Sequence, residues 1–160
     1  MPAADQIAAP QPLDEHRKLA ALAGEWAGEE MVYPSRWFEA GPAVSHVNAR
    51  VDLGGFCVIQ DYRQMRHGQQ IFAGHGVFTF DRDDRLYKMF WHDSLGYFAP
   101  APASGSWKDG TLTLLRGSLR GGARHIFEFP DENTYTLKIQ FSPDAEGWAD
   151  VLSGVYRRLS

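Results

Sequence analysis

The sequence predicts an all-β domain: a closed, up-and-down antiparallel barrel of about ten strands with one short N-terminal helix. Runs rich in Val, Ile, Phe, Tyr and Trp are separated by turn sequences such as His67-Gly68 and Lys108-Asp109-Gly110. No second helical pattern separates these runs, so the crossover helices of a parallel sheet are not expected. Ten up-and-down strands would leave two unpaired edges unless the sheet closed, and closure into a barrel is therefore expected.

The residues before the first strand fall into two parts. Residues 1–12 contain three prolines and no hydrophobic periodicity, which predicts a disordered tail. A short helix is predicted over 13–23, with Asp14 able to cap its start and Gly24 supplying its end. Residues 13–160 are then expected to form a single barrel domain.

The strands follow in unbroken succession, each bounded by Gly, Pro, Asp or Asn. They are predicted at 25–33, 43–53, 56–66, 69–81, 85–94, 103–108, 111–117, 123–129, 134–142 and 148–158.

The two-residue turn at His67-Gly68 predicts a register for the third and fourth strands. Such a turn would pair Arg66 with Gln69, and every further pair follows by counting back along both strands. The expected pairs are Gln64 with Ile71, Tyr62 with Ala73, Gln60 with His75, and Val58 with Val77.

Charge predicts which face of these strands is interior. Asp61 and Arg63 on the alternate face prefer solvent, so the face that carries Gln60, Tyr62 and His75 is expected inside. A three-residue connection at 82–84 would extend this face to Tyr87, Met89, Trp91 and Asp93 of the fifth strand. In the eighth and ninth strands the alternation places Phe127 and Leu137 inside.

The predicted interior is mostly apolar and aromatic, with polar groups at mid-height. In such a cavity the apolar walls supply most of the binding free energy, and a few donors and acceptors orient a small ligand. The sequence therefore predicts a binding protein for a small, mostly apolar molecule, with no cofactor, metal or catalytic residue assigned. The candidate ligand-binding residues are Gln60, Tyr62, His75, Trp91, Asp93, Tyr87, Met89, Phe127 and Leu137.

Three other interpretations use overlapping residues. The polar groups could satisfy one another as an internal network without any ligand. An enzyme could use His75 as general base, with Asp93 orienting it and Tyr62 as proton donor or oxyanion partner. Alternatively, the barrel could be filled and serve as an interaction or scaffold domain that binds a partner or a second copy through the phenylalanines of the fourth strand.

An apolar face on the fourth strand predicts a homodimer. Phe72, Phe78 and Phe80 alternate with His75 and would lie outside, where a bare apolar surface of this size is not expected on a monomer. Gly74 and Gly76 on that face would bend the strand or allow a second copy to approach. On the first two strands, Glu30 and Arg50 are expected to form an ion pair, either structural or available to a charged ligand group.

Composition limits the possible partners and compartment. A formal net charge of −4 offers no basic surface for nucleic acid. The single cysteine, Cys57, cannot form an intrachain disulfide, and residues 1–12 lack the features of a signal peptide. A cytoplasmic protein with a small hydrophobic partner, and neither nucleic acid nor membrane, is expected.

Several short motifs also carry a family resemblance. Gly24-Glu25-Trp26 after a short helix resembles the lipocalin and calycin signature, and Tyr156-Arg157-Arg158 resembles the segment whose arginine packs over that tryptophan. The order of further motifs is similar to a bacterial domain-of-unknown-function family of calycin-like barrels, from about His16 to the end. These motifs are Tyr33-Pro34-Ser35, Leu53-Gly54-Gly55-Phe56, Gly74-His75-Gly76, Trp91-His92-Asp93-Ser94 and Gly147-Trp148.

The resemblance implies a closed barrel with a helix at one end and an internal cavity, in a superfamily that often carries hydrophobic small molecules. It implies no established activity. Haem-binding nitrobindin-type barrels are similar only in outline, since their proximal histidine lies late in the chain and no histidine here follows His125.

Overall fold

Ten antiparallel strands close into one barrel, which confirms the predicted fold class. The computed structural model describes residues 7–97, 99–144 and 146–160. A short helix, α1 (Asp14–Lys18), continues as a 3-10 turn (Leu19–Leu22). The strands are β1 (Gly24–Val32), β2 (Gly41–Asp52), β3 (Cys57–Arg66), β4 (Gln69–Asp81), β5 (Leu86–Asp93), β6 (Ala103–Lys108), β7 (Thr111–Ser118), β8 (Gly121–Asp131), β9 (Thr134–Ser142) and β10 (Ala149–Arg158).

Each strand pairs with its neighbours in the chain, and β1 pairs with β10 to close the sheet. All predicted strand ends lie within two residues of those observed. Because closure leaves no edge strand, every strand can bury one face in the interior.

The helix covers one end of the barrel. His16 is buried there, with its ring edge-on to Phe56 and Phe80 at centroid distances of 5.1 and 5.6 Å. The prediction that Asp14 caps the helix is wrong: Asp14 is the first helical residue, and the N-cap is Leu13, whose N–H donates to His16 Nδ1 at 2.9 Å. A ring nitrogen of the third helical residue thus accepts from the backbone N–H of the N-cap residue at the start of α1.

The same end carries the tryptophan–arginine pair that the calycin resemblance implies. The Arg158 guanidinium lies 4.2 Å from the ring centroid of Trp26. It also donates to the carbonyl oxygens of Ala23, at 2.7 Å, and Glu132. Arg158 therefore ties the last strand to the turn that precedes β1.

A β-bulge in β4 reverses the predicted faces of that strand. Arg66 pairs with Gln69 as expected, and Met65 pairs with Gln70, but Gln64 pairs with Phe72. Ile71 is thus an extra residue, and every later side chain of β4 points to the face opposite the predicted one.

The bulge overturns the predicted dimer face. Phe72, Phe78 and Phe80 point into the barrel, where Phe78 and Phe80 are only 1% and 6% exposed. The apolar surface that motivated a homodimer is therefore part of the core. The interpretation of the barrel as an interaction module that presents this surface is also wrong.

The connection between β4 and β5 has four residues rather than the predicted three. Asp81 pairs with Leu86, so β5 is shifted by one residue relative to the predicted pairing. Because the bulge at Ile71 had already shifted β4 by one residue, the two shifts cancel for β5. Tyr87 and Trp91 consequently point inward as predicted, opposite Phe80 and Gly76.

Of the predicted tail 1–12, residues 1–6 lie outside the described residues. In the remainder, the Gln11 carbonyl accepts a hydrogen bond of 2.9 Å from the Arg82 guanidinium.

Among the helices of the described chain, none has the length and apolar character needed to cross a membrane.

Candidate functional site

Aromatic rings fill the half of the interior next to α1. Tyr135 is stacked on Tyr156 and edge-on to Trp26, in both cases at a centroid distance of 4.7 Å. Trp107 and Phe129 stack at 4.9 Å. These contacts make the helix end of the barrel a packed core.

All but one of the predicted site residues point into the barrel. Those that do are Gln60, Tyr62, Trp91, Asp93, Tyr87, Met89, Phe127 and Leu137. The exception is His75, which the β4 bulge places on the outer surface, with its side chain 48% exposed and Nδ1 2.8 Å from Asp61 Oδ1. The predicted His75–Asp93 pair is therefore wrong, and with it the proposed catalytic base.

In the half of the interior away from α1, four inward-facing side chains keep part of their surface exposed. Phe72, Trp91, Asp93 and Leu137 face inward, yet each is only partly buried. Since a closed wall surrounds them, we attribute this exposure to the open end of the barrel. We call this half the cup and define it by these four residues.

Trp91 forms one wall of the cup, and two glycines of β4 make room for it. Its ring lies against Gly74 and Gly76, and a Cβ atom added at Gly74 would overlap the six-membered ring. Trp91 Nε1 donates to Asp93 Oδ2 at 2.9 Å, and the Leu95 N–H donates to Asp93 Oδ1 at 3.0 Å. The glycines of the Gly74-His75-Gly76 motif thus accommodate an aromatic side chain inside the barrel.

A buried carboxylate lies inside the barrel, and sequence reasoning assigned it to the wrong partner. Glu30 is 5% exposed and accepts hydrogen bonds from the hydroxyls of Tyr62 and Tyr156. Gln64 Nε2 donates to the same carboxylate at 3.1 Å. The predicted partner, Arg50, instead lies on the outer face and contacts Asp52 at 3.1 Å.

The donors around Glu30 are neutral. Burial, together with the charge of Glu30, raises the pKa of Tyr62 and of Tyr156 far above the ordinary tyrosine value, so both hydroxyls keep their protons. Among the described residues, no cationic nitrogen lies within 4.0 Å of the Glu30 carboxylate. Glu30 is therefore held by hydrogen bonds alone.

Gln60 and His125 each carry a buried polar atom without a partner. Gln60 Oε1 and His125 Nε2 make no hydrogen bond within the part of the chain that the structure describes, although the residues are only 6% and 8% exposed. Burying such a group without a partner is unfavourable. The hydrogen-bonding capacity of both atoms is therefore not used by the described residues.

The ring of His125 is neutral at physiological pH. Burial lowers its pKa to about 3, and the nearby positive charge of Arg116 acts in the same direction. A neutral imidazole has one donor nitrogen and one acceptor nitrogen, so His125 can serve either role toward a ligand.

Acidification from pH 7 to pH 4.5 is expected to destabilise the wild-type fold more than that of a His125→Gln variant. The unfolded ring protonates near its ordinary pKa of 6.5, whereas the folded ring stays neutral down to about pH 3. Between these two pH values the unfolded state therefore binds one more proton than the folded state. As the pH falls, His125 lowers the free energy of unfolding by at most about 1.4 kcal/mol per pH unit.

Urea denaturation at pH 7, 5.5 and 4.5 measures this difference. The matched control is His92→Gln, because His92 is exposed on the outer face of β5 and the control should keep the wild-type pH dependence. Parallel curves for wild type and His125→Gln would contradict the prediction.

A second concavity, of about 710 Å³, lies against the outside of the sheet. Most of its lining side chains point outward from β1, β2 and β8–β10, among them the exposed Met31 and Val44. Apart from Leu137 it shares no residue with the cup, and nothing in the described structure indicates what would cover it.

The strand order, the helix at one end and the Trp26–Arg158 pair define a calycin-like barrel. The chain belongs to the family described as "Protein of unknown function (DUF1579)", whose profile matches residues 11–158. The predicted family is thus confirmed. No curated protein sequence is significantly similar to this chain.

The solved structures that share the fold include two that match most of this chain. Rv2717c from M. tuberculosis is 14% identical, with a TM-score of 0.66, over 90% of this chain and 96% of that chain. The S-type phycobiliprotein lyase CPES from Guillardia theta is 11% identical, with a TM-score of 0.64, over 94% of this chain and 99% of that chain. At these identities the similarity shows the fold alone.

Proposed function

We propose that this protein binds a small, mostly apolar molecule in the cup. The molecule enters the cup through the end of the barrel opposite α1. The observation that carries the proposal is the solvent exposure of the inward-facing Phe72, Trp91 and Leu137 within a closed wall. Each methylene group of a ligand buried against such walls contributes ~0.8 kcal/mol. Apolar contact would therefore supply most of the affinity.

The polar groups of the interior support binding of a guest with a few polar atoms. Gln60 Oε1 and His125 Nε2 lie on strands five steps apart around the ten-stranded ring, which places them on opposite walls. Directed polar groups on an apolar wall orient a ligand and add specificity. Glu30 is less available, since Tyr62, Tyr156 and Gln64 already occupy its oxygens.

Trp91→Ala is expected to weaken the binding of Nile red, a neutral apolar dye, by roughly tenfold or more. Loss of ~60 Å² of apolar contact at ~25 cal/mol per Å² corresponds to ~1.5 kcal/mol of binding free energy. Dye fluorescence titrations measure the affinity, and thermal melting shows whether the variant is folded.

The matched control is His92→Ala, the next residue of β5, which is exposed on the outer surface. This control should bind the dye like wild type. An unchanged dye spectrum with wild-type protein, or equal affinity in both variants, would overturn the proposed site. Native mass spectrometry of freshly purified protein would show directly whether a small molecule is retained.

A further inference from the structure

At the open end of the barrel, β6 is shorter than its two neighbouring strands. Its first residue, Ala103, lies opposite Met89 of β5, and Ser104 lies opposite Leu115 of β7. Both neighbouring strands therefore continue toward the open end beyond the start of β6. Asp93 of β5 and Arg116 of β7 lie in these longer parts of the two neighbouring strands.

Arg116 points into the cup without an ion-pair partner. It follows Leu112 and Leu114 on the inner face of β7 and is only partly buried. Among the described residues, its guanidinium makes no hydrogen bond, and no carboxylate oxygen lies within 4.0 Å of it. An arginine with five donors held in this setting is available to an acceptor from outside the chain.

Asp93 does not neutralise Arg116 by direct contact. Its negative charge acts on Arg116, but its two oxygens accept hydrogen bonds from Trp91 Nε1 and the Leu95 N–H. Arg116 is partly buried, and this burial lowers the pKa of its guanidinium. An anion in the cup would supply the missing interaction.

His125 adds a second group at the same place. In the pairing of β7 with β8, Arg116 lies opposite Ala123, and Leu114 lies opposite His125. Arg116 and His125 are therefore diagonal neighbours on the inner face, within the reach of long side chains. His125 Nε2 is one of the buried atoms without a partner among the described residues, and as an N–H donor it would add a second hydrogen bond to the group that the guanidinium binds.

We propose that the ligand of the cup carries a carboxylate, bound by the Arg116 guanidinium with His125 Nε2 as a second donor. The planar guanidinium fork matches the two oxygens of a carboxylate. A cationic ligand group would be repelled by Arg116, and the buried Glu30 lies on β1, four strands away around the ring. The inference rests on the proposed function and narrows its ligands to amphiphilic carboxylic acids.

Three probes with the same chain length test this inference: decanoate, decan-1-ol and decylamine, titrated calorimetrically below their aggregation concentrations. Wild-type protein is expected to bind decanoate roughly 10- to 100-fold more tightly than decan-1-ol, the range given by charge-assisted hydrogen bonds. Arg116→Met is expected to remove that preference by weakening decanoate binding, while decan-1-ol binding stays within about threefold of wild type.

Two further variants isolate the role of Arg116. Arg116→Lys keeps the positive charge but lacks the planar guanidinium that can donate to both carboxylate oxygens. This variant is expected to prefer decanoate over decan-1-ol less strongly than wild type but more strongly than Arg116→Met. Arg63→Met is the matched control, because Arg63 is exposed on the outer face of β3, and it should bind like wild type. Thermal melting establishes that each variant is folded.

The outcomes separate the two proposals. Equal binding of decanoate and decan-1-ol that Arg116→Met does not alter would overturn the carboxylate site and leave the apolar cup intact. Tightest binding of decylamine would also overturn it. If none of the three probes binds to folded wild-type protein, the proposed function itself fails.

Discussion

Glu30→Ala is expected to lower the free energy of unfolding by about 3–5 kcal/mol. The substitution leaves the hydroxyls of Tyr62 and Tyr156 and the amide of Gln64 buried without their common acceptor. It also opens a cavity where the carboxylate packed. Urea denaturation monitored by circular dichroism measures the loss.

The neighbouring glutamate provides the control for this prediction. Glu29 is the adjacent residue of β1 and points outward, with its side chain 79% exposed, so Glu29→Ala should change stability by no more than about 0.5 kcal/mol. Tyr156→Phe, which removes one of the donors, should fall between the two. A loss below about 1 kcal/mol for Glu30→Ala would show that the carboxylate is not the common acceptor of the network.

The buried carboxylate also shows where sequence reasoning stops. The residues Trp26, Gly28, Glu30 and Val32 alternate on the inner face of β1, and this pattern is visible in the sequence. An expectation that charged residues are exposed or ion-paired nevertheless led to Arg50 as its partner. Neutral tyrosine donors carry no charge pattern that a sequence could reveal, so the network appears only in the structure.

The barrel itself was predictable because its signals are local. Strand lengths follow from β-branched and aromatic runs, and turn positions follow from residues such as His67 and Gly68, both of which adopt the positive φ that a two-residue hairpin favours. Closure follows from the cost of exposed edges. None of these arguments depends on knowing which face of a strand is buried.

The faces were harder to predict, because one extra residue changes all of them at once. Ile71 has no feature that distinguishes a bulge from a regular strand position, and its bulge moved His75 outside and the phenylalanines of β4 inside. The four-residue connection after Asp81 then restored the face of β5. Trp91 and Asp93 were therefore placed correctly through two errors that cancel.

The packing of Trp91 against β4 leads to the second large effect: Gly74→Ala is expected to destabilise the fold by about 2–3 kcal/mol. The added methyl group would overlap the indole ring, which cannot simply rotate away because its Nε1 donates to Asp93 Oδ2. Displacing the ring would break that hydrogen bond and deform the wall of the cup. Chemical denaturation measures the change in stability.

A double-mutant cycle attributes this effect to one contact. In a Trp91→Ala background the overlap is absent, so Gly74→Ala should cost less than about 0.5 kcal/mol, and the coupling between the two positions should exceed ~1.5 kcal/mol. Gly117→Ala on β7 is the matched control, since a Cβ atom there would meet no other atom within 4 Å. Additive effects of Gly74→Ala and Trp91→Ala would contradict the proposed contact, because strain in the backbone of β4 would persist whether or not the indole ring is present.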